Sequence, residues 1–262
     1  MNSLIEKLNP QQQKAVAAPA GPTLVLAGPG SGKTRVLTYR IAYLISAMNV
    51  PAWNILSVTF TNKAAKQMGE RVTQLIGPQS EGIWLGTFHS ICGRILRREA
   101  DLLPVNKNFV IFDADDQESL MKQIIRDNNL DEKTNKPYSM LSAISSAKND
   151  LISPENFPIA NFRDEQTKRL YAIYQQRLVR NNAMDFDDML VYTNQILESY
   201  PVVRDTYGHK FEHILVDEFQ DTNYAQYSIL KQLSQVHGNL YVVGDEDQSI
   251  YRWRGADYRN LQ

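Results

Sequence analysis

The sequence predicts an α/β fold, a parallel sheet flanked by helices and interrupted by an inserted all-helical subdomain. Three observations carry this expectation. Short, mostly apolar runs alternate with stretches of helical periodicity, the βαβ rhythm of a parallel sheet buried on both faces. One alternation contains Ala27-Gly28-Pro29-Gly30-Ser31-Gly32-Lys33-Thr34, a Gly-rich turn between an apolar run and a helical one. Between residues 114 and 182 the rhythm breaks, and mainly helical spacing remains.

In chain order, the first buried strand is expected over 23–27, followed by the Gly-rich turn and a helix over 33–48. A second strand over 55–60 ends at Phe60, and Thr61 then stands at the N-cap of a helix over 63–76. A third strand over 83–86 leads into a helix over 90–103, and 108–113 reads as one further short strand at the border of the insert. Inside the insert, 119–129 and 168–180 place apolar residues at helical spacing, and the polar, Pro-containing segments 131–137 and 153–158 separate the helices. The sheet rhythm resumes with a strand over 213–217, a helix over 225–235 and a strand over 240–244. The expected division is therefore a sheet domain of 1–113 and 183–262 around a helical insert of 114–182. No internal repeat or low-complexity tract interrupts it.

Composition narrows the function. The 262 residues are 43% hydrophobic and 22% charged, with a formal net charge of -1, so no global basic field announces a nucleic-acid partner. Such a partner has to be held by a local patch. The single cysteine, Cys92, excludes an internal disulfide and a cysteine-rich zinc site, and suits a reducing, cytoplasmic compartment. The N-terminus has mixed charge and no apolar core of a secretory signal, and no apolar run approaches the ~20 residues that span a bilayer.

The Gly-rich turn is a phosphate-binding loop in context. Glycines let several backbone N–H groups face one anion, and the helix that follows adds the positive end of its dipole. Gly28, Gly30, Ser31 and Gly32 form the cradle, Lys33 reaches the outer phosphates, and the Thr34 hydroxyl is a ligand for Mg²⁺. The first position of the pattern is Ala27, small enough to permit close approach. A second signal is Ile214-Leu215-Val216-Asp217-Glu218-Phe219-Gln220-Asp221, an apolar strand ending in acids. Asp217 suits Mg²⁺ coordination, and Glu218 suits orientation and deprotonation of an attacking water. The third is Val242 to Asp257. There Gln248 follows a strand tip and could contact a γ-phosphate, and Tyr251-Arg252-Trp253-Arg254 interleaves aromatics with arginines, a pattern suited to unpaired bases and phosphates. Thr59-Phe60-Thr61-Asn62-Lys63 and Gly86-Thr87-Phe88-His89-Ser90 place polar and aromatic side chains at two more strand ends, where ordinary helix capping is the simpler reading of each. Arg94, Arg97 and Arg98 read as a solvated helix face, and Asp185-Phe186-Asp187-Asp188 as acids opening a helix.

Taken together and in this order, these strings resemble the UvrD/Rep/PcrA group of superfamily 1 DNA helicases over nearly the whole chain. Leu8-Asn9-Pro10-Gln11-Gln12 resembles the family's Q motif, 27–34 motif I, 59–63 motif Ia, 86–90 the next DNA-contacting motif, 185–188 the short acidic-aromatic motif, 217–220 motif II and 244–254 motif III. The resemblance implies a RecA-like lobe (subdomain 1A) interrupted by a helical insert (1B), and hydrolysis of ATP·Mg²⁺ coupled to 3′→5′ movement on single-stranded DNA and at single-strand/duplex junctions. It implies an adenine contact for Gln12 and a place near the nucleotide for Arg35. It implies base stacking for Phe60, Tyr251 and Trp253, and DNA contacts for Asn62, Thr87, His89 and Arg254. It also implies a second RecA-like lobe with motifs IV to VI, whose arginine fingers complete the nucleotide cleft. The sequence stops at Gln262, just after motif III, so the 262 residues alone are expected to be a weak ATPase. Two other functions compete: a non-catalytic nucleotide- and DNA-binding module, and the helicase part of a nuclease–helicase machine.

Overall fold

The computed structural model describes residues 4–245. It is an α/β structure with two compact units, Met1–Ile91 with Leu197–Thr222 and Gln226–Gln262, and Cys92–Ile196 with Asn223–Ala225.

The first unit holds a parallel five-stranded sheet in the order β1-β7-β6-β2-β3, made of β1 (Thr23–Leu26), β2 (Ile55–Thr59), β3 (Trp84–Thr87), β6 (His213–Val216) and β7 (Leu240–Gly244). Its register aligns the carboxyl ends: Leu26 lies opposite Gly244, Val216 opposite Val242, Val58 opposite Val216, and Thr59 opposite Thr87. The ladder continues one residue further at two points, where Ala27 N–H donates to the Gly244 carbonyl and Asp217 N–H to that of Val58. Five strand tips are thereby brought to one edge, the ligand-bearing edge of a wound sheet.

Helices α1 (Pro10–Val16), α2 (Lys33–Ser46) and α3 (Asn62–Ile76) supply apolar faces to this sheet. Leu37 and Ile41 of α2 and Met68 and Val72 of α3 pack with Ile55, Leu215 and Val243, all essentially without solvent exposure. The cap at Thr61 forms as the sequence indicates, its hydroxyl accepting the Ala64 N–H at 3.1 Å. Helix α1 escapes the apolar pattern because only Val16 is buried on it. Its signal is instead a capping box: Asn9 accepts from the Gln12 N–H, Gln12 accepts from the Asn9 N–H, and Pro10 occupies the first turn.

The second unit gathers α5 (Ala114–Asp127), α6 (Pro137–Asn149) and α7 (Phe162–Arg180) around Met121, Ile124, Ile125, Leu170, Tyr174 and Leu178. It also contains a small parallel sheet of β4 (Val110–Phe112) and β5 (Ala183–Asp185), the strands that enter and leave the helical stretch. The expected strand at 108–113 thus exists, and its partner was concealed by its length of three residues. Helix α4 (Phe88–Arg98) and helix α8 (Phe186–Ser199) each cross from one unit to the other along the chain; α9 (Pro201–Lys210) and α10 (Tyr224–Ser234) follow.

Two expectations need correction. The first strand is not buried on both faces: among the described residues β1 is an edge strand, and Leu24 and Leu26 are 42% and 50% exposed. An apolar run fixes strand type but not its place in the sheet. The helix expected over 90–103 ends at Arg98, and Ala100–Leu102 forms a short 3-10 turn. Two adjacent arginines in its last turn are the favourable charges for a helix C-terminus.

Candidate functional site

The loop after β1 has the backbone a phosphate cradle needs. Gly30 and Gly32 stand at φ 71 and 91, conformations that a side chain disfavours, and Gly32 forms the left-handed entry to α2. A Cβ on Gly28 or Gly30 would meet nothing within 4 Å, so this face of the loop is open. Ser31 closes the turn through its hydroxyl, which donates to the Gly28 carbonyl at 2.7 Å.

Lys33 opens α2 and is buried. Its Nζ lies 3.0 Å from Asp245 Oδ2 and donates to the Ala27 carbonyl at 3.2 Å. The β1-β7-β6 order explains the meeting, because Lys33 follows β1, Asp245 follows β7 and Asp217 follows β6. Beside Lys33, the Thr34 hydroxyl faces Asp217 Oδ2 at 3.4 Å, so both expected Mg²⁺ ligands come together. Burial pushes the Asp217 carboxyl up to about 6, the like charge of Glu218 adds to this, and Thr34 and Lys33 oppose it. A divalent cation beside Asp217 would reverse both penalties, so the donor set fits Mg²⁺ held jointly with phosphate oxygens.

Glu218 sits at φ 48, ψ 46, in the left-handed region that costs a non-glycine residue free energy. Its N–H donates to Asp217 Oδ1 at 3.1 Å. Gln220 spans from Glu218 Oε2, at 2.8 Å, to the N–H of Asp245, at 2.9 Å. Asp245 and Gln220 were not singled out by sequence reasoning. The available signal for Asp245 was its position one residue beyond the apolar run 240–244, the same placement that marks Asp217.

Gln12 meets the loop directly. Its Nε2 donates to the Ser31 carbonyl at 2.9 Å, while its Oε1 caps α1. Arg35 points along the first turn of α2: its guanidinium donates to the Lys7 carbonyl at 2.9 Å and lies 5.5 Å from the Tyr39 ring centre. A cavity of ≈ 440 Å³ adjoins it, lined by Arg35, Thr38, Tyr39, Arg71, Gln74 and Leu75.

The expected DNA-contacting residues of the described chain stand at the tips of β2 and β3. Phe60 packs edge-on against Phe88, with ring centres 5.7 Å apart. Asn62 is exposed at the start of α3. Thr87 accepts the Ser90 N–H at 3.2 Å and so caps α4, and His89 follows, half-buried. The capping reading of Thr87 is therefore realised, and its carbonyl accepts from the Ser90 hydroxyl at 2.9 Å. A Cβ on Gly86 would come 2.2 Å from that hydroxyl, so a side chain there would displace Ser90 from this bond. Gln248, Tyr251, Trp253 and Arg254 lie outside the described residues.

Comparison with known proteins adds independent findings. The family model described as UvrD/REP helicase N-terminal domain matches residues 8–262. The chain is 52% identical over 262 residues to the ATP-dependent DNA helicase PcrA of Bacillus subtilis, covering 99% of this chain and 36% of that protein. It is 48% identical over 263 residues to the proteins of the same name from Staphylococcus aureus and Staphylococcus epidermidis, covering 100% of this chain and 36% of each. The chain thus spans about a third of the length of the curated relatives it matches, 36% in each case.

Proposed function

The chain belongs to the UvrD/REP helicase N-terminal domain family, and from that premise we propose that it is the first RecA-like lobe, with its helical insert, of an ATP-dependent 3′→5′ DNA helicase. The observation that carries the proposal is the convergence of Lys33, Thr34, Asp217 and Glu218 at one sheet edge, beside an open glycine loop. The α/β sheet is the architecture such a lobe requires.

In this reading the loop amides of residues 28–32 and the N-terminus of α2 bind the triphosphate. Lys33 exchanges its Asp245 partner for the outer phosphates, Gln12 contacts the base, and Arg35 stands near the nucleotide. Thr34 and Asp217 would hold Mg²⁺, which would supply neutralisation of phosphate charge. Glu218 accepts a proton from water as the water oxygen bonds to the γ-phosphorus. The bond to the β-phosphate oxygen breaks, and its electron pair leaves with ADP. Gln248 senses the γ-phosphate. Single-stranded DNA and its junctions with duplex are bound by Phe60, Asn62, Thr87, His89, Tyr251, Trp253 and Arg254.

The arginine fingers are assigned to a second lobe, the partner of this one. Because such a finger is worth ~10³–10⁵ in turnover, the 262-residue chain by itself is a weak ATPase. Among the described residues no helix is long and apolar enough to cross a membrane.

The test is Mg²⁺-dependent ATP hydrolysis with and without single-stranded DNA, for the 262-residue chain and for the full-length protein. DNA-stimulated hydrolysis lost in Lys33→Ala and Asp217→Asn is the expected result. Hydrolysis that survives both substitutions would remove the site from the reaction. Rapid turnover by the 262 residues alone would refute the need for a second lobe.

A further inference from the structure

Gln220 is 1% exposed in the 3-10 turn Phe219–Asp221, and its amide is used at both ends. Nε2 donates to Glu218 Oε2 at 2.8 Å, and Oε1 accepts the Asp245 N–H at 2.9 Å. The orientation of this amide follows from chemistry, since the peptide N–H of Asp245 only donates and so takes Oε1, which leaves Nε2 for the Glu218 carboxylate. Asp245 in turn holds Lys33 at 3.0 Å. A single hydrogen-bonded path therefore runs from the loop lysine through Asp245 and Gln220 to the Glu218 carboxylate.

Glu218 needs such support. Its backbone occupies a strained left-handed conformation, which persists only where surrounding contacts hold it. Its side chain has three rotatable bonds, and proton transfer demands one direction within a fraction of an ångström. The Gln220 bond fixes one carboxylate oxygen and leaves the other without a hydrogen bond among the described residues.

Resting on the reading of Glu218 as the general base, we propose that Gln220 is a positioning residue for hydrolysis. It aims the Glu218 carboxylate and ties that aim to the segment after β7 whose carboxylate engages Lys33. Its contribution therefore falls on turnover and not on nucleotide affinity.

The experiment uses the full-length protein, with single-turnover hydrolysis of MgATP on oligo(dT) and fluorescent mant-ADP as the binding probe. Gln220→Met keeps the length and removes both hydrogen bonds; turnover is expected to fall about 100-fold, the cost of a misplaced reacting group. Gln220→Glu keeps an acceptor for the Asp245 N–H but sets a second carboxylate against Glu218, and is expected to fall as far. The Kd for mant-ADP is expected to stay within about threefold in both, which also reports that each variant folds. Where Gln220→Met does not fold, Gln220→Glu decides. In a Glu218→Gln background, adding Gln220→Met is expected to cost less than about threefold more, because residues acting as one unit are not additive.

Turnover near normal in Gln220→Glu would overturn the inference, leaving Gln220 as a link to Asp245 alone. A full further loss in the Glu218→Gln background, or nucleotide affinity falling in step with turnover, would show a general structural role and overturn it too. If the unsubstituted protein hydrolyses no ATP, the nucleotide reading itself fails and this inference falls with it. Normal hydrolysis with an inert Gln220 fails the inference alone.

Discussion

Lys148→Met is expected to destabilise the second unit by about 3–5 kcal/mol near pH 8, the cost of breaking a buried ion pair from one side. Lys148 is 1% exposed on α6, and its Nζ lies 2.7 Å from both Asp185 and Asp188. Tyr174 donates to the same Asp185 oxygen at 3.0 Å, and Gln175 donates to Asp188 at 2.8 Å. Burial pulls the Lys148 ammonium down, but the charges of Asp185 and Asp188 outweigh it and hold the group above its ordinary value. Removing the ammonium leaves two buried carboxylates with only neutral donors. Methionine keeps the length of the side chain, so the loss is electrostatic and not a cavity.

Even with Lys148 present, burial, then the charge of Asp185, push Asp188 up to about 6 from an ordinary 3.8. The folded state thus keeps a proton that the unfolded chain has released, and this group's contribution to stability falls as pH rises from 3.8 to about 6. Without Lys148 the folded value moves higher still, so the variant is worst at pH 8 and recovers on acidification. Each pH unit over which only the folded variant carries the extra proton returns about 1.4 kcal/mol. Urea melts at pH 8 and 5.5, followed by far-UV circular dichroism, measure the difference. Hydrogen exchange across α5, α6 and α7 locates it, since Trp53 and Trp84 lie outside the second unit. A loss below about 1 kcal/mol at pH 8, or an equal loss at both pH values, would refute the reasoning.

Thr61→Ala removes the cap of α3 and should cost ~1 kcal/mol, read as a lower Tm and faster exchange in the first turn of that helix, with nucleotide affinity unchanged. Gln12→Ala breaks the contact with the Ser31 carbonyl and should reduce the preference for ATP over GTP about tenfold in competition binding. An unchanged preference would leave Gln12 a structural cap. Trp253→Ala should weaken oligo(dT) binding by ~1–3 kcal/mol with nucleotide affinity unchanged, and equal loss of both would make Trp253 structural.

The proposed nucleotide site is legible in the sequence because its chemistry is local. Residues 27–34 and 217–218 carry their meaning in adjacent side chains, and the apolar runs before them identify strand tips. What stayed hidden is set by pairing at long separation. Asp245 meets Lys33 only because β7 inserts between β1 and β6, an order that no window of sequence contains. Lys148 belongs to a Ser- and Ala-rich helix and reads as a surface residue until Asp185 and Asp188 are placed beside it. The edge position of β1 escaped for the same reason, since its residues are as apolar as those of a central strand.

The strand order also constrains how the proposed nucleotide and DNA sites can communicate within the first unit. The residues proposed for the nucleotide follow β1 and β6, with Asp245 after β7, and those proposed for DNA, Phe60, Asn62, Thr87 and His89, follow β2 and β3, so the two proposed sets meet between β6 and β2. At that divide the Asp217 N–H donates to the Val58 carbonyl, two residues before Phe60. The strands themselves are poor levers: β2 and β6 are buried at every position and hydrogen-bonded on both sides, and close-packed interiors do not deform continuously. Adjustable elements have to be the segments beyond the strand tips. There Glu218 stores backbone strain, Gln220 bridges two loops, and Lys33 has the ion pair with Asp245 that the proposed triphosphate would exchange. In the proposed function, a fixed edge bearing replaceable contacts would let a phosphate be registered beyond β6 without reshaping the sheet that carries the tips proposed for DNA.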